Sequence, residues 1–204
     1  IDACPNLKLI GRGGVGMDNI DVEYARSKGI NVVNTPAASS HSVAELVFTH
    51  LFNMVRFVYD SNRQMPIKGS TDFDILKKKY AKGIELKGKT LGIIGFGRIG
   101  QAVGKIALGC GMKIIPRDPF IAEATLDLEI EGTAKVSVKI KTVPMDKVIS
   151  TADFITVHVP AGKLITKKEI EKMKTGVFLV NASRGGVIDE SDLIDGLNSG
   201  KIAH

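Results

Sequence analysis

Apolar residues in this chain come in two arrangements: unbroken runs of strand length, and positions that recur three or four residues apart. "LKLIGRG" (7–13) predicts a buried strand ending in glycines, "DVEYARSKG" (21–29) a short helix closed by Gly29, and "INVVNTP" (30–36) a second strand stopped by Pro36. Residues 39–64, "SSHSVAELVFTHLFNMVRFVYDSNRQ", predict one long helix. Val43, Leu46, Val47, Leu51, Met54, Val55 and Val58 recur at helical spacing, and Ser39 or Ser40 is placed to cap it.

From residue 89 the two arrangements alternate. Strands are expected at "KTLGIIG" (89–95), "MKIIPRD" (112–118), "DFITVHV" (153–159) and "VFLVNAS" (177–183). Helices are expected near 98–109, 145–152, 166–174 and 191–201. Strands alternating with helices predict an α/β fold with a doubly wound parallel sheet. Residues 39–204 form one such domain in this reading. Residues 1–38 are a β-α-β piece of a second, smaller α/β domain, and the chain reads as a fragment of a longer protein.

One stretch departs from the alternation. Leu126, Leu128 and Ile130 alternate with acids, and Val136, Val138 and Ile140 alternate with polar residues, with Gly132 between. This period of two predicts an antiparallel hairpin. Placing apolar opposite apolar requires an odd loop, three or five residues, and the acidic arm would then face the basic one.

The chain has 204 residues, 44% of them apolar, with 28 basic and 22 acidic side chains and a formal charge of +6. Lysines in "KKKY" (77–80) and "KLITKKEIEKMK" (163–174) are spread as solvated helix faces, not as a nucleic-acid stripe. No apolar run approaches the roughly 20 residues of a membrane span. Cys4 and Cys110 make neither a disulfide framework nor a metal spacing, and are expected as buried or partly buried thiols in a reducing cytoplasm. His41 and His50 are expected in packing or hydrogen-bonding roles on the long helix.

Gly95, Gly97 and Gly100 are spaced G-x-G-x-x-G between a strand and a helix. In that setting the first glycine permits a tight turn, the second lets a pyrophosphate approach the backbone, and the third lets the helix pack close to the strand. The helix N-terminus adds free N–H groups and a positive dipole end. Asp118 ends the next strand, 18 residues after Gly100, where a carboxylate accepts ribose hydroxyls and repels a 2′-phosphate, which selects NAD over NADP. Ligands on such sheets sit at the carboxyl ends of strands. Here those ends carry Gly95–Gly97, Asp118, "HVP" (158–160) and "SRGG" (183–186). Arg184 follows a buried strand and is suited to grip a carboxylate with two parallel N–H groups. The competing reading pairs it with Asp189 or Glu190.

With these residues in view the chain resembles the D-2-hydroxyacid dehydrogenases, and within them the 3-phosphoglycerate dehydrogenase branch. The matching pieces are "GRGGVGMDNID" (11–21), "NTPAASSHSVAEL" (34–46), "GKTLGIIGFGRIGQ" (88–101), "RDPF" (117–120), "ADFITVHVP" (152–160), "NASRGGVIDESDLIDGL" (181–197) and "GKIA" (200–203). The resemblance implies that Arg184 is the catalytic arginine, binding substrate carboxylate and carbonyl oxygen. It implies substrate contacts from Gly14 and Val15, and cofactor contacts from Arg98, Ile99, Val159, Ala182 and Ser183 beside the glycine loop and Asp118. It places the catalytic histidine and its glutamate partner after "GKIA", so His158 is expected to shape a loop, not to act as the base. It also implies a homodimer or higher oligomer and a small-molecule substrate, with no nucleic acid or membrane. Two departures stand out: the loop between "HVP" and "ITKKEI" is several residues shorter than in the family, and the 126–140 hairpin is additional.

The expected activity is NAD-dependent hydride transfer to or from a D-2-hydroxy acid, with 3-phosphoglycerate as substrate in serine biosynthesis. Lactate and glyoxylate or hydroxypyruvate are the alternatives within the family. A non-enzymatic NAD-sensing module of the corepressor type is the alternative outside catalysis. A methyltransferase also places a glycine loop and an acid after a strand, but "NASRGG" argues against it.

Overall fold

The computed structural model describes residues 1–132 and 135–204. In the N-terminal piece, β1 (Leu9–Arg12) and β2 (Asn31–Asn34) pair in parallel around α1 (Val22–Ser27), whose first turn Asp21 caps by accepting the Tyr24 N–H. Its buried centre is only Ala25, Ile30 and Val32.

The predicted long helix is two helices. α2 (Ser40–Arg56) stops at Phe57, which takes the left-handed conformation at φ 54°, and α3 (Val58–Lys68) begins after it. Asn53 explains the break. Its carbonyl accepts the Phe57 N–H and its side-chain oxygen accepts the Tyr59 N–H at 2.6 Å, so one residue closes the first helix and starts the second. The expected serine cap is absent: Ser39 makes no capping bond, and the buried Ser40 hydroxyl has no partner. The apolar stripe also sits differently. Ala44, Val47, Phe48, Leu51 and Val55 are buried, whereas Leu46 and Val58 are exposed. α4 (Phe73–Tyr80) buries Leu76 and turns its lysines outward. His41, His50 and Cys4 are exposed, against expectation, and Cys110 is half-buried.

The rest of the chain forms the expected sheet. β3 (Thr90–Ile94), α5 (Arg98–Gly109) and β4 (Lys113–Arg117) lead into β5 (Glu123–Leu128) and β6 (Val136–Lys141). Then come α6 (Met145–Thr151), β7 (Phe154–Val157), α7 (Lys167–Lys172), β8 (Phe178–Asn181) and α8 (Glu190–Asn198). The main sheet has the order β4-β3-β7-β8, all parallel. Parallel strands are buried on both faces, which is why they read as unbroken apolar runs. On one face Leu91, Ile93, Phe154 and Val180 pack with α2 and α5; on the other Ile94, Ile155 and Val157 pack with α6 and α7. The sheet is doubly wound. Beside β8, Ala203 N–H donates to Val177 O and Leu179 N–H to His204 O.

β5 and β6 form the predicted antiparallel hairpin with apolar facing apolar: Leu126 opposite Val138 and Ala124 opposite Ile140. The connection between Leu128 and Val136 is odd but longer than expected, seven residues (129–135), and Thr133 and Ala134 within it lie outside the described residues. Ile130 is outside the strand. Acidic and basic arms meet as predicted, with Lys135 2.7 Å from Asp127 and Lys139 3.8 Å from Glu123. Leu126 is fully buried against α5, and Val143 N–H, just past the hairpin, donates to Pro116 O on the outer edge of β4. Among the described residues no helix is long and apolar enough to cross a membrane.

Candidate functional site

Because the four strands run parallel, their carboxyl ends share one edge of the sheet. The glycine loop leaves β3 there. Gly95 has φ +94°, a conformation side chains rarely adopt, and a Cβ on it would stand 2.5 Å from the His158 carbonyl oxygen. A Cβ on Gly100 would stand 2.1 Å from the Gly95 carbonyl oxygen, so the first turn of α5 lies directly on the loop. Gly97 has open space beside it. It is the N-cap of α5 without a side-chain bond to the helix, so a twelve-residue helix presents its positive end to the same space. These observations fit a pyrophosphate.

Asp118 is half-buried and holds the loop in shape. One carboxylate oxygen accepts the Phe96 N–H at 2.7 Å; the other accepts those of Phe120 at 2.8 Å and Ile121 at 3.2 Å. The first oxygen has accepted one bond and retains a lone pair for a hydroxyl. Asp118 lines a cleft of about 510 Å³ together with Gly95, Gly97, Phe120, Met145, His158, Val159, Pro160, Leu164 and Glu169.

A second cleft of about 350 Å³ adjoins it, lined by Val15, Gly16, Ser39, Val43, Ile99, Ala182, Ser183 and Arg184, and sharing His158, Val159 and Pro160 with the first. The pair make one crevice across the strand ends, reaching the N-terminal piece at Val15 and Gly16. Both volumes suit small-molecule sites. Another hollow of about 420 Å³, between α7 and α8, holds none of the predicted residues.

Arg184 stands on a braced turn. The Asn181 side-chain oxygen accepts Ser183 N–H at 3.0 Å and its hydroxyl at 2.6 Å, while the Asn181 amide donates to Arg184 O at 2.8 Å. The arginine Nη1 donates to Ser183 O at 3.0 Å, and Nη2 lies 3.1 Å from Asp18. Its Nε is buried with no partner. The pairing with Asp189 or Glu190 does not form. Asp189 instead caps α8 and pairs with Lys163; that ammonium, then the Ser191 hydroxyl and the Asp192 N–H, hold its carboxyl well below the usual range. The same ion pair ties the loop after "HVP" to the start of α8.

His158 lies at the junction of the two clefts. Its Nε2 is 2.9 Å from the Thr156 hydroxyl, and its Nδ1 is buried without a partner. Burial pushes the imidazole down to about 4, so it is neutral near pH 7.

Of the predicted residues, Val15, Gly95, Gly97, Ile99, Asp118, Val159, Ala182, Ser183 and Arg184 line the crevice. Gly100 lies beneath it. Gly14 is turned to β2, donating its N–H to the Thr35 hydroxyl at 2.8 Å, and Arg98 is exposed at the start of α5 outside both linings. Gly16, Asp18 and Asn181 were not predicted. Each lies inside a quoted motif, but what they touch depends on folding, and no spacing announces it.

Residues 48–204 match the family model of the D-isomer specific 2-hydroxyacid dehydrogenase NAD-binding domain. The chain is 44% identical over 206 residues to a hydroxypyruvate reductase of Thermotoga maritima, covering 99% of this chain and 61% of that protein. It is 40% identical over 207 residues to a D-3-phosphoglycerate dehydrogenase of Archaeoglobus fulgidus, covering 100% of this chain and 36% of that protein. A solved NAD-dependent formate dehydrogenase from Staphylococcus aureus in complex with NAD superposes with a TM-score of 0.75 at 29% identity, covering 100% of this chain and 58% of that one. The chain therefore spans 36–61% of the length of these relatives.

Proposed function

The chain belongs to the D-isomer specific 2-hydroxyacid dehydrogenases through their NAD-binding domain, and we propose that it supplies the cofactor site and the substrate-binding arginine of an enzyme acting on a D-2-hydroxy acid. In this reading residues 39–204 bind NAD and residues 1–38 belong to the substrate domain. Gly95, Gly97 and the N-terminus of α5 would hold the pyrophosphate, Asp118 the adenosine ribose, and Val159, Ala182 and Ser183 the nicotinamide side. When bound, NAD supplies the acceptor for the hydride that leaves C2 of the hydroxy acid.

The observation that carries the reading is Arg184. A guanidinium with an unpartnered Nε stands at the substrate end of a dinucleotide crevice, opposite Gly16 of the other unit. It would fix the carboxylate and polarise the oxygen on C2. The hydroxyl proton needs a different acceptor. Among the described residues His158 is the imidazole lining the crevice, and a group protonated only near pH 4 is a weak base for an alcohol. In the proposed reading a residue other than His158 serves as the base.

3-Phosphoglycerate is the proposed substrate, by likeness to the A. fulgidus protein and others of that name. Glycerate, the reduced partner of hydroxypyruvate, is the second reading, favoured by the T. maritima relative. Exposed Phe52, Tyr59, Ile67, Phe73 and Ile75 on α2–α4 support the proposed homo-oligomer. The test is NADH formation by the full-length protein with 3-phosphoglycerate and with D-glycerate. Faster turnover of the phosphorylated acid supports the first substrate, and the reverse supports the second. NAD binding without oxidation of any D-2-hydroxy acid would favour an NAD sensor.

A further inference from the structure

The ion pair between Arg184 and Asp18 joins two distant parts of the chain inside the crevice. Arg184 is 39% exposed and Asp18 75% exposed at their side chains. The backbone between them is fitted to the contact. A Cβ on Gly16 would stand 2.2 Å from Arg184 Nη2 and 2.7 Å from the Asp18 carboxylate, so the pair in this arrangement uses space that a side chain at residue 16 would fill.

An aspartate carboxylate and the carboxylate of a 2-hydroxy acid are the same chemical group. Asp18 takes Nη2, one of the N–H donors that a two-pronged grip on substrate would use, and leaves the neighbouring Nε with nothing. We propose that Asp18 is a positioning residue: its carboxylate occupies the Arg184 guanidinium in place of the substrate's and yields it when the acid binds. This rests on the reading of Arg184 given above. An exposed pair is weak enough to exchange readily. The arginine is steadied without Asp18 by the bond from its Nη1 to Ser183 O. Removing the competing carboxylate should therefore help the substrate more than the lost positioning harms it.

The test uses the full-length protein loaded with NADH and oxamate, a stable mimic of a 2-oxo acid, titrated by the quenching of NADH fluorescence. Asp18→Asn should tighten oxamate about two- to fivefold, the size of an exposed ion pair. It should also lower KM for the 2-oxo acid without raising kcat, whereas structural damage would raise KM. Asp18→Glu should restore the weaker binding. Unchanged or weaker oxamate binding in Asp18→Asn, with NAD affinity intact, overturns the proposal. If loss of NAD affinity shows that Asp18→Asn is misfolded, Asp18→Ser is read by the same criteria. Arg184→Met separates the two levels of the argument. Oxamate binding that survives it overturns the role of Arg184 itself, while its loss, with no tightening in Asp18→Asn, overturns only the exchange.

Discussion

The two ends of the crevice are built differently. At the glycine end the shaping contacts are close and local: Gly100 against the Gly95 carbonyl, and Asp118 accepting the Phe96 N–H, all within one sheet domain. At the arginine end the wall is assembled from Val15, Gly16, Val43, Ile99 and residues 182–184, drawn from the whole length of the chain. Two buried nitrogens near that end, Arg184 Nε and His158 Nδ1, have no partner. The glycine end is finished by folding. The arginine end is left with unpartnered nitrogens that a ligand would complete.

The comparison breaks most severely at Arg184. In the full-length protein Arg184→Lys should keep the charge but lose the fork, and kcat/KM should fall by about 2–4 kcal/mol, while calorimetry finds NAD affinity nearly unchanged. A loss under fivefold would remove Arg184 from the proposed role. His158, between the two ends, gives the next largest effect, on stability. Its folded pKa lies below the usual 6.5, so between about pH 6.5 and 4 the unfolded chain binds the extra proton. Stability is full above that window and declines through it as pH falls, by about 3 kcal/mol at most. Melting curves of the parent and His158→Gln should diverge in slope across that window and run parallel above it.

Gly100→Ala attacks the finished end. The added methyl meets backbone at 2.1 Å, so helix and loop must part. Overpacking of this kind costs about 1–3 kcal/mol, and NAD affinity should fall with the melting temperature. Asp118→Asn gives the smallest effect and the sharpest one. It removes the charge and keeps one acceptor oxygen, but sets an amide NH2 against the N–H donors on the other side, so the Phe96 bond can be kept only at the expense of those from Phe120 and Ile121. Its preference for NAD over NADP should narrow by roughly 1 kcal/mol, the size of a like-charge pair about 4 Å apart in water. An unchanged ratio would leave Asp118 as a loop brace only.

Much of the fold was legible because a parallel sheet writes itself as apolar runs, and because the glycine spacing falls where β3 meets α5. The helix break at Phe57 was not, since the apolar period runs through it and the cause is a pair of bonds from Asn53. The hairpin register was readable from apolar alternation, its loop length was not. In the site, Asp118 could be placed from its distance to Gly100, but its service as a brace depends on the Phe96 N–H turning toward it. Arg184 was visible beside its glycines. Its partner was not, because Asp189 and Glu190 are close in sequence while Asp18 arrives only through the tertiary fold.

The clip between Val143 and Pro116 bears on how the protein behaves in a crowd of its own copies. β4 is the last strand on its side of the sheet, and an unpaired strand edge is a template on which another chain can grow a strand. Here the outward carbonyl of Pro116 is already taken by the Val143 N–H, and proline offers no N–H beside it. The hairpin that follows adds charged pairs, Lys135 with Asp127 and Lys139 with Glu123. A chain that lost this cover should expose the β4 carbonyl to edge-to-edge growth, so the cover is expected to oppose aggregation.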